Sequence, residues 1–193
     1  MRLDILDRGY RPGAKLLFTF IRLFSGHPVP DAAKIVFYRP DFYGARAKDA
    51  THEAMRGPSP WSVADRELMA AYVATVNESE FCTAAHTATA RQAYQSEPMV
   101  TAVLTDLETA PIAEPLRATL RMLGKLLTER TVGAADMRQV LAAGATREQI
   151  EDALAVCAAF DTTARLADAF GFEILSHEGF DAGAKYLLRR GYQ

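Results

Sequence analysis

Two cysteines, one tryptophan and four histidines in 193 residues exclude several chemistries at the outset. Two thiols, Cys82 and Cys157, cannot build the disulfide framework that small secreted domains need. An excess of one charge sign is also missing, because 22 Lys and Arg stand against 24 Asp and Glu, for a formal charge of −2. That balance supplies no field for phosphate backbones, so nucleic acid is not an expected partner. Long hydrophobic runs are lacking too. The most apolar N-terminal stretch, residues 16–21, is bounded by Lys15 and Arg22 and is too short to span a bilayer. No small-residue cleavage site follows it, and Asp4 and Asp7 spoil a positively charged leader. Neither membrane insertion nor export is expected, which points to the cytoplasm, where thiols stay reduced.

What is present is a foldable apolar content of 49% with 24% charged residues, enough for a packed core without a metal or disulfide staple. Ala, Leu, Arg and Glu recur, and period-two alternation of branched residues is absent, so the chain reads as all-α. From Pro30 to Ala54 the pattern is helical but broken at Arg39 and Pro40, since a proline biases its predecessor away from the α region. Gly57, Pro58, Ser59 and Pro60 form a linker. Ser62 with Asp65 three residues on predicts a helix start, and Asn77 to Ser79 ends that helix. A second helix over about Glu80 to Gln95 completes a hairpin. Glu114 and Pro115 open another helix, Asp136 to Ala143 is a short one stopped by Gly144, and Thr146 with Gln149 caps a long one that Gly171 terminates. This organisation divides the chain into an arm (1–57), a helical core (58–175) and a tail (176–193), folding as one cooperative unit.

Chemistry gathers around Cys82. His86 lies four residues after it, so sulfur and imidazole share one helix face, about 6 Å apart at their Cβ atoms. Glu67 sits on the preceding helix. At 1.5 Å rise per residue, Cys82, His86 and Glu67 fall roughly 6, 12 and 16 Å from the hairpin turn. The carboxylate therefore lies beside the imidazole and farther from the sulfur, the order in which an acid orients a base and the base takes the thiol proton. With Ser79 as N-cap, Cys82 occupies the third helical position, where free N–H groups and the dipole favour a thiolate, while Glu78 and Glu80 oppose it. Each residue also has a plain structural interpretation: Glu67 as a first-turn acid, His86 as a hydrogen-bonded interior histidine, Cys82 as a small hydrophobe. Cys157, on an apolar stripe, takes that interpretation, and His27, His52 and His177 are read as structural or solvated. A Cys-His-Glu set lacks a fourth ligand, so no metal and no cofactor is expected.

The run of Asp65, Arg66, Glu67 and Leu68, then Tyr72 to Asn77, then Phe81 to His86 resembles the signature of the alkyl hydroperoxidase D and carboxymuconolactone decarboxylase superfamily, over roughly residues 35–175. The subgroup it is most similar to is that of uncharacterised peroxidase-related proteins. The family motif is a glutamate, a C-x-x-C pair and a histidine four residues after the second cysteine. Glu67, Cys82 and His86 match it, and Ser79 stands where the first cysteine would be. The resemblance implies an alkyl hydroperoxidase D-like helical bundle that assembles as a trimer or hexamer.

It also implies a peroxidase in which Cys82 attacks a hydroperoxide with His86 and Glu67 as proton relay. With Ser79 in place of the resolving cysteine, an external thiol must regenerate Cys82. Two further functions stay open: acid–base catalysis on a small organic acid, as in the carboxymuconolactone decarboxylase branch, with Arg91 or Arg165 as carboxylate anchor, and a non-catalytic helical oligomer. The aromatic arm (Phe18, Phe20, Phe24, Phe37, Tyr38, Phe42 and Tyr43) suits either packing on a neighbouring subunit or covering this chain's own core.

Overall fold

A computed structural model describes residues 9–38, 41 and 44–192. Among the described residues there are ten helices and no strand: α1 (Pro12–Ser25), α2 (Asp31–Tyr38), α3 (Ala45–Arg56), α4 (Val63–Val76), α5 (Glu80–Tyr94), α6 (Glu97–Thr105), α7 (Glu114–Glu129), α8 (Ala134–Ala142), α9 (Arg147–Phe170) and α10 (His177–Arg190). The fold is all-α, as the composition implies.

Local chemistry places most of the boundaries. The Ser62 hydroxyl accepts from the Asp65 N–H at 3.0 Å while the Asp65 carboxylate accepts from the Ser62 N–H at 3.1 Å. Thr146 and Gln149 repeat this at the start of α9. Gly171 closes α9 in the left-handed region at φ 61°. Three elements differ from the sequence expectation, one of them α10, which occupies the stretch read as a tail. Helix α8 begins two residues early, because Asp136 acts from inside the first turn, its carboxylate accepting from the Gly133 N–H at 2.7 Å. Helix α6 was not expected at all. Pro98, taken as a stop for the preceding helix, also occupies the first turn of α6, where its missing N–H leaves no bond unmade. The expected break at Arg39 and Pro40, and the aromatics Phe42 and Tyr43, lie outside the described residues.

Helices α4 and α5 form the antiparallel hairpin at the centre, with α9 and α7 packed on α4 and α10 packed on α5. Ala70, Ala71 and Ala74 on α4 and Ala88 and Ala90 on α5 are buried, small enough to let neighbouring backbones approach closely. Leu68, Met69 and Val73 join Leu120, Leu123, Val156 and Phe160 in the main core. A second cluster holds Cys82 among Phe81, Phe172 and Phe180, with Phe81 edge-on to Phe172 at 5.3 Å. The Gly57–Pro60 linker is fastened to the core: Ser59 bonds Asp152, Trp61 Nε1 donates to the Gln149 carbonyl at 2.7 Å, and Arg66 donates to the Gly57 carbonyl at 2.9 Å. In the arm, Phe18 packs edge-on to Tyr10 and Phe37, whereas Leu23 and Phe24 are 74% and 86% exposed.

Candidate active site

Glu67 is fully buried, with 0% exposure, on the hairpin face that meets α3, α5 and the C-terminal segment. Its Oε2 lies 3.0 Å from His86 Nδ1. Its Oε1 accepts from Arg56 Nη2 at 2.6 Å and from the Tyr192 hydroxyl at 3.0 Å. Burial alone pushes such a carboxyl up. The hydrogen bonds and positive charges of His86 and Arg56 outweigh it and hold Glu67 below its ordinary 4.5, so it is a carboxylate at neutral pH.

An ionised Glu67 can only accept, so His86 Nδ1 must carry the proton that bridges them. With Nδ1 so occupied, Nε2 is the ring nitrogen left to exchange a proton with another group. The ring is further held edge-on to Phe160, with centroids 4.2 Å apart, and stacked with Tyr192 at 6.4 Å and 17° between planes. The acid and base of the expected relay are therefore in contact.

Cys82 lies one turn N-terminal to His86 on α5 and is only 1% exposed. Burial pushes its thiol up to about 11, a hydrogen bond with Ser79 offsets part of this, and the Asp168 carboxylate adds to it. Ser79 makes no side-chain cap on α5; its hydroxyl donates to Asp168 Oδ1 at 2.8 Å instead. The balance left open between the helix dipole and nearby acids is thus decided for the neutral thiol, by burial and by Asp168 on α9.

Besides Asp168, Arg56 and Tyr192 are site residues that sequence reasoning missed. Arg56 ends α3, where a basic residue ordinarily serves the helix dipole, and nothing local marks it as a partner for Glu67. It also donates to the carbonyls of Met55 and Leu187 at 2.8 and 3.0 Å. Tyr192 follows a helix that the sequence reading left as a tail. Of the two arginines weighed as anchors for a substrate carboxylate, Arg91 pairs with Asp181 and His177, and the exposed Arg165 pairs with Asp161 one turn back on α9. Of the other histidines, His52 Nδ1 accepts from the Tyr192 N–H at 3.2 Å and so helps seat the C-terminal segment.

That seating depends on Gly191, at φ 70° and ψ −152°, a region open essentially to glycine alone. A Cβ there would also come within 2.7 Å of the His52 ring. Gly191→Ala is expected to lower stability by about 1–3 kcal/mol and to displace Tyr192, read as a lower melting temperature and altered tyrosine fluorescence.

Among the described residues no group of three His, Cys, Asp or Glu side chains could hold a metal ion. No described helix is long and apolar enough to cross a membrane. A surface groove of about 580 Å³ runs past Thr83, Thr87, Arg91 and Phe180, and neither Cys82, His86 nor Glu67 lines it.

Residues 40–125 match the Carboxymuconolactone decarboxylase family. The chain is similar in structure to an uncharacterized peroxidase-related protein from Silicibacter sp. TM1040, with 21% identity, a TM-score of 0.79, and 92% of this chain and 93% of that one covered. It is likewise similar to a structure described as an alkylhydroperoxidase AhpD core, an uncharacterized peroxidase-related protein from Ralstonia eutropha JMP134, with 22% identity, a TM-score of 0.76 and coverage of 94% and 96%. No curated protein sequence matches. The two likenesses establish the fold, and the stretch that matches the family takes in Glu67, Cys82 and His86.

Proposed function

We propose, starting from this shared alkyl hydroperoxidase D-like fold, that the protein is a single-cysteine thiol peroxidase whose proton is managed by His86 and Glu67. The observation that carries it is the buried Glu67–His86 hydrogen bond one helical turn from Cys82. His86 Nε2 takes the thiol proton as sulfur attacks the distal oxygen of a hydroperoxide. The O–O bond breaks, the alcohol leaves with the proton returned by the imidazolium, and Cys82 becomes a sulfenic acid. One external thiol condenses with the sulfenic acid, releasing water, and a second frees Cys82 as the external disulfide forms. Ser79 supplies no resolving sulfur, and Cys157 packs in the other core cluster. A reducing cytoplasm fits this cycle, since both cysteines are free thiols.

The neutral, buried thiol favours one second reading, in which Cys82 is incidental and His86 with Glu67 performs acid–base chemistry on a small organic acid. Treatment with an alkyl hydroperoxide and a sulfenic-acid trap, followed by mass analysis, separates them. The peroxidase predicts an adduct on Cys82, absent in Cys82→Ser and reduced about 10²–10⁴-fold in rate in His86→Ala. No adduct on Cys82 where free cysteine reacts would remove it. Self-assembly is part of the proposal: the exposed Leu23 and Phe24 on α1 suit burial against another copy.

A further inference from the structure

We infer that Tyr192 is a positioning residue for the Glu67–His86 pair, moderating through its hydroxyl how strongly the carboxylate draws on the imidazole. The role rests on the proton relay proposed above. Three observations support it. The hydroxyl reaches both carboxylate oxygens, at 3.0 and 3.2 Å, so it shares the acceptor that orients His86. Its ring stacks with the imidazole, and the Arg56 guanidinium lies over it, 5.1 Å from the centroid. Its placement is over-determined by the glycine-only backbone of Gly191 and by its own N–H on His52.

A neutral donor on a buried carboxylate disperses its charge and weakens its pull on the shared Nδ1 proton. Without that donor, Glu67 stabilises the imidazolium more, and His86 enters the encounter already protonated over more of the acidic range. The charged and titratable groups around the pair are Arg56 from α3, Arg66 from α4, Cys82 from α5 and Tyr192, with His52 of α3 behind Tyr192 and Asp168 of α9 behind Cys82. Burial first, and then the neighbouring carboxylate, raise the Tyr192 phenol well above its ordinary range.

Tyr192→Phe keeps the ring and removes the oxygen. In the variant, the ratio of its hydroperoxide kcat/KM to the parent's is expected to fall about threefold or more at pH 5.5 and to reach or pass one by pH 8. The Nδ1–H resonance of His86, recorded without turnover, moves downfield as Glu67 becomes the stronger acceptor. A pH-independent ratio with an unmoved resonance would overturn the inference. If the parent shows no Cys82 oxidation, the peroxidase reading fails, and the resonance alone decides the role of Tyr192.

Discussion

Glu67→Ala is expected to remove about 3–5 kcal/mol of folding stability, the range for breaking a buried ion pair from one side. For a domain of this size that lowers the melting temperature by roughly 6–20 °C. The loss is large because the substitution does more than delete a contact. Arg56 is left with its guanidinium in the interior, Tyr192 and His86 each lose an acceptor, and the vacated volume lies at a position with no access to water. Replacing both charged partners, as in Arg56→Met with Glu67→Gln, should recover part of the loss, because no buried charge then stands alone. The pH dependence follows from the direction of the Glu67 shift. Its folded value lies below the ordinary 4.5, so its contribution is complete above that pH and is lost as pH falls through the folded value. Urea melts from pH 7 down to pH 3 should show a steeper acid decline for the parent than for Glu67→Gln. Equal slopes would place the stabilising charge elsewhere.

Cys82 should be almost inert toward a simple alkylating agent at neutral pH. A thiol at about 11 rather than 9.0 is about a hundredfold poorer in thiolate, with roughly one molecule in ten thousand ionised at pH 7 before steric hindrance is counted. Iodoacetamide modification at Cys82, resolved from Cys157 by peptide mass, should therefore rise about tenfold per pH unit up to pH 11. A plateau below pH 8 would show an activated thiolate instead. Because the folded value is raised, the linked stability is complete below the unfolded thiol's titration and is lost as pH climbs from about 9 to 11. The contrast with hydroperoxide is the informative part. In the proposed cycle His86 accepts the proton only as the O–O bond is engaged, so a peroxidase of this kind is expected to react far better with peroxide than with an alkyl halide.

Much of the fold was legible because its signals are local. Ser62 with Asp65 and Thr146 with Gln149 carry their own capping bonds, and Gly171 carries a backbone conformation, so each boundary is written in adjacent residues. The Glu67–His86 contact was legible because a short hairpin turns helical rise into an axial register. Arg56, Tyr192 and Asp168 were not, since each reaches the site across 11, 125 or 89 residues of chain and only tertiary packing decides where such side chains arrive. Arg91 and Arg165 rest on carboxylates away from Glu67, Asp181 on α10 and Asp161 one turn back, and the first of these pairings, like that of Arg56, is set by packing between helices. The state of the Cys82 thiol was decided by burial, which spacing does not report.

One guanidinium ties together segments remote in sequence, because Arg56 from α3 bonds both Glu67 on α4 and the Leu187 carbonyl near the end of α10. Peeling α10 away would therefore strand an ion pair and uncap a helix terminus in the same motion. Fraying at that end is thereby coupled to loss of the charge pairing around Glu67, and amide exchange along the last turns of α10 should approach the rate of global opening instead of the faster rate common at chain ends.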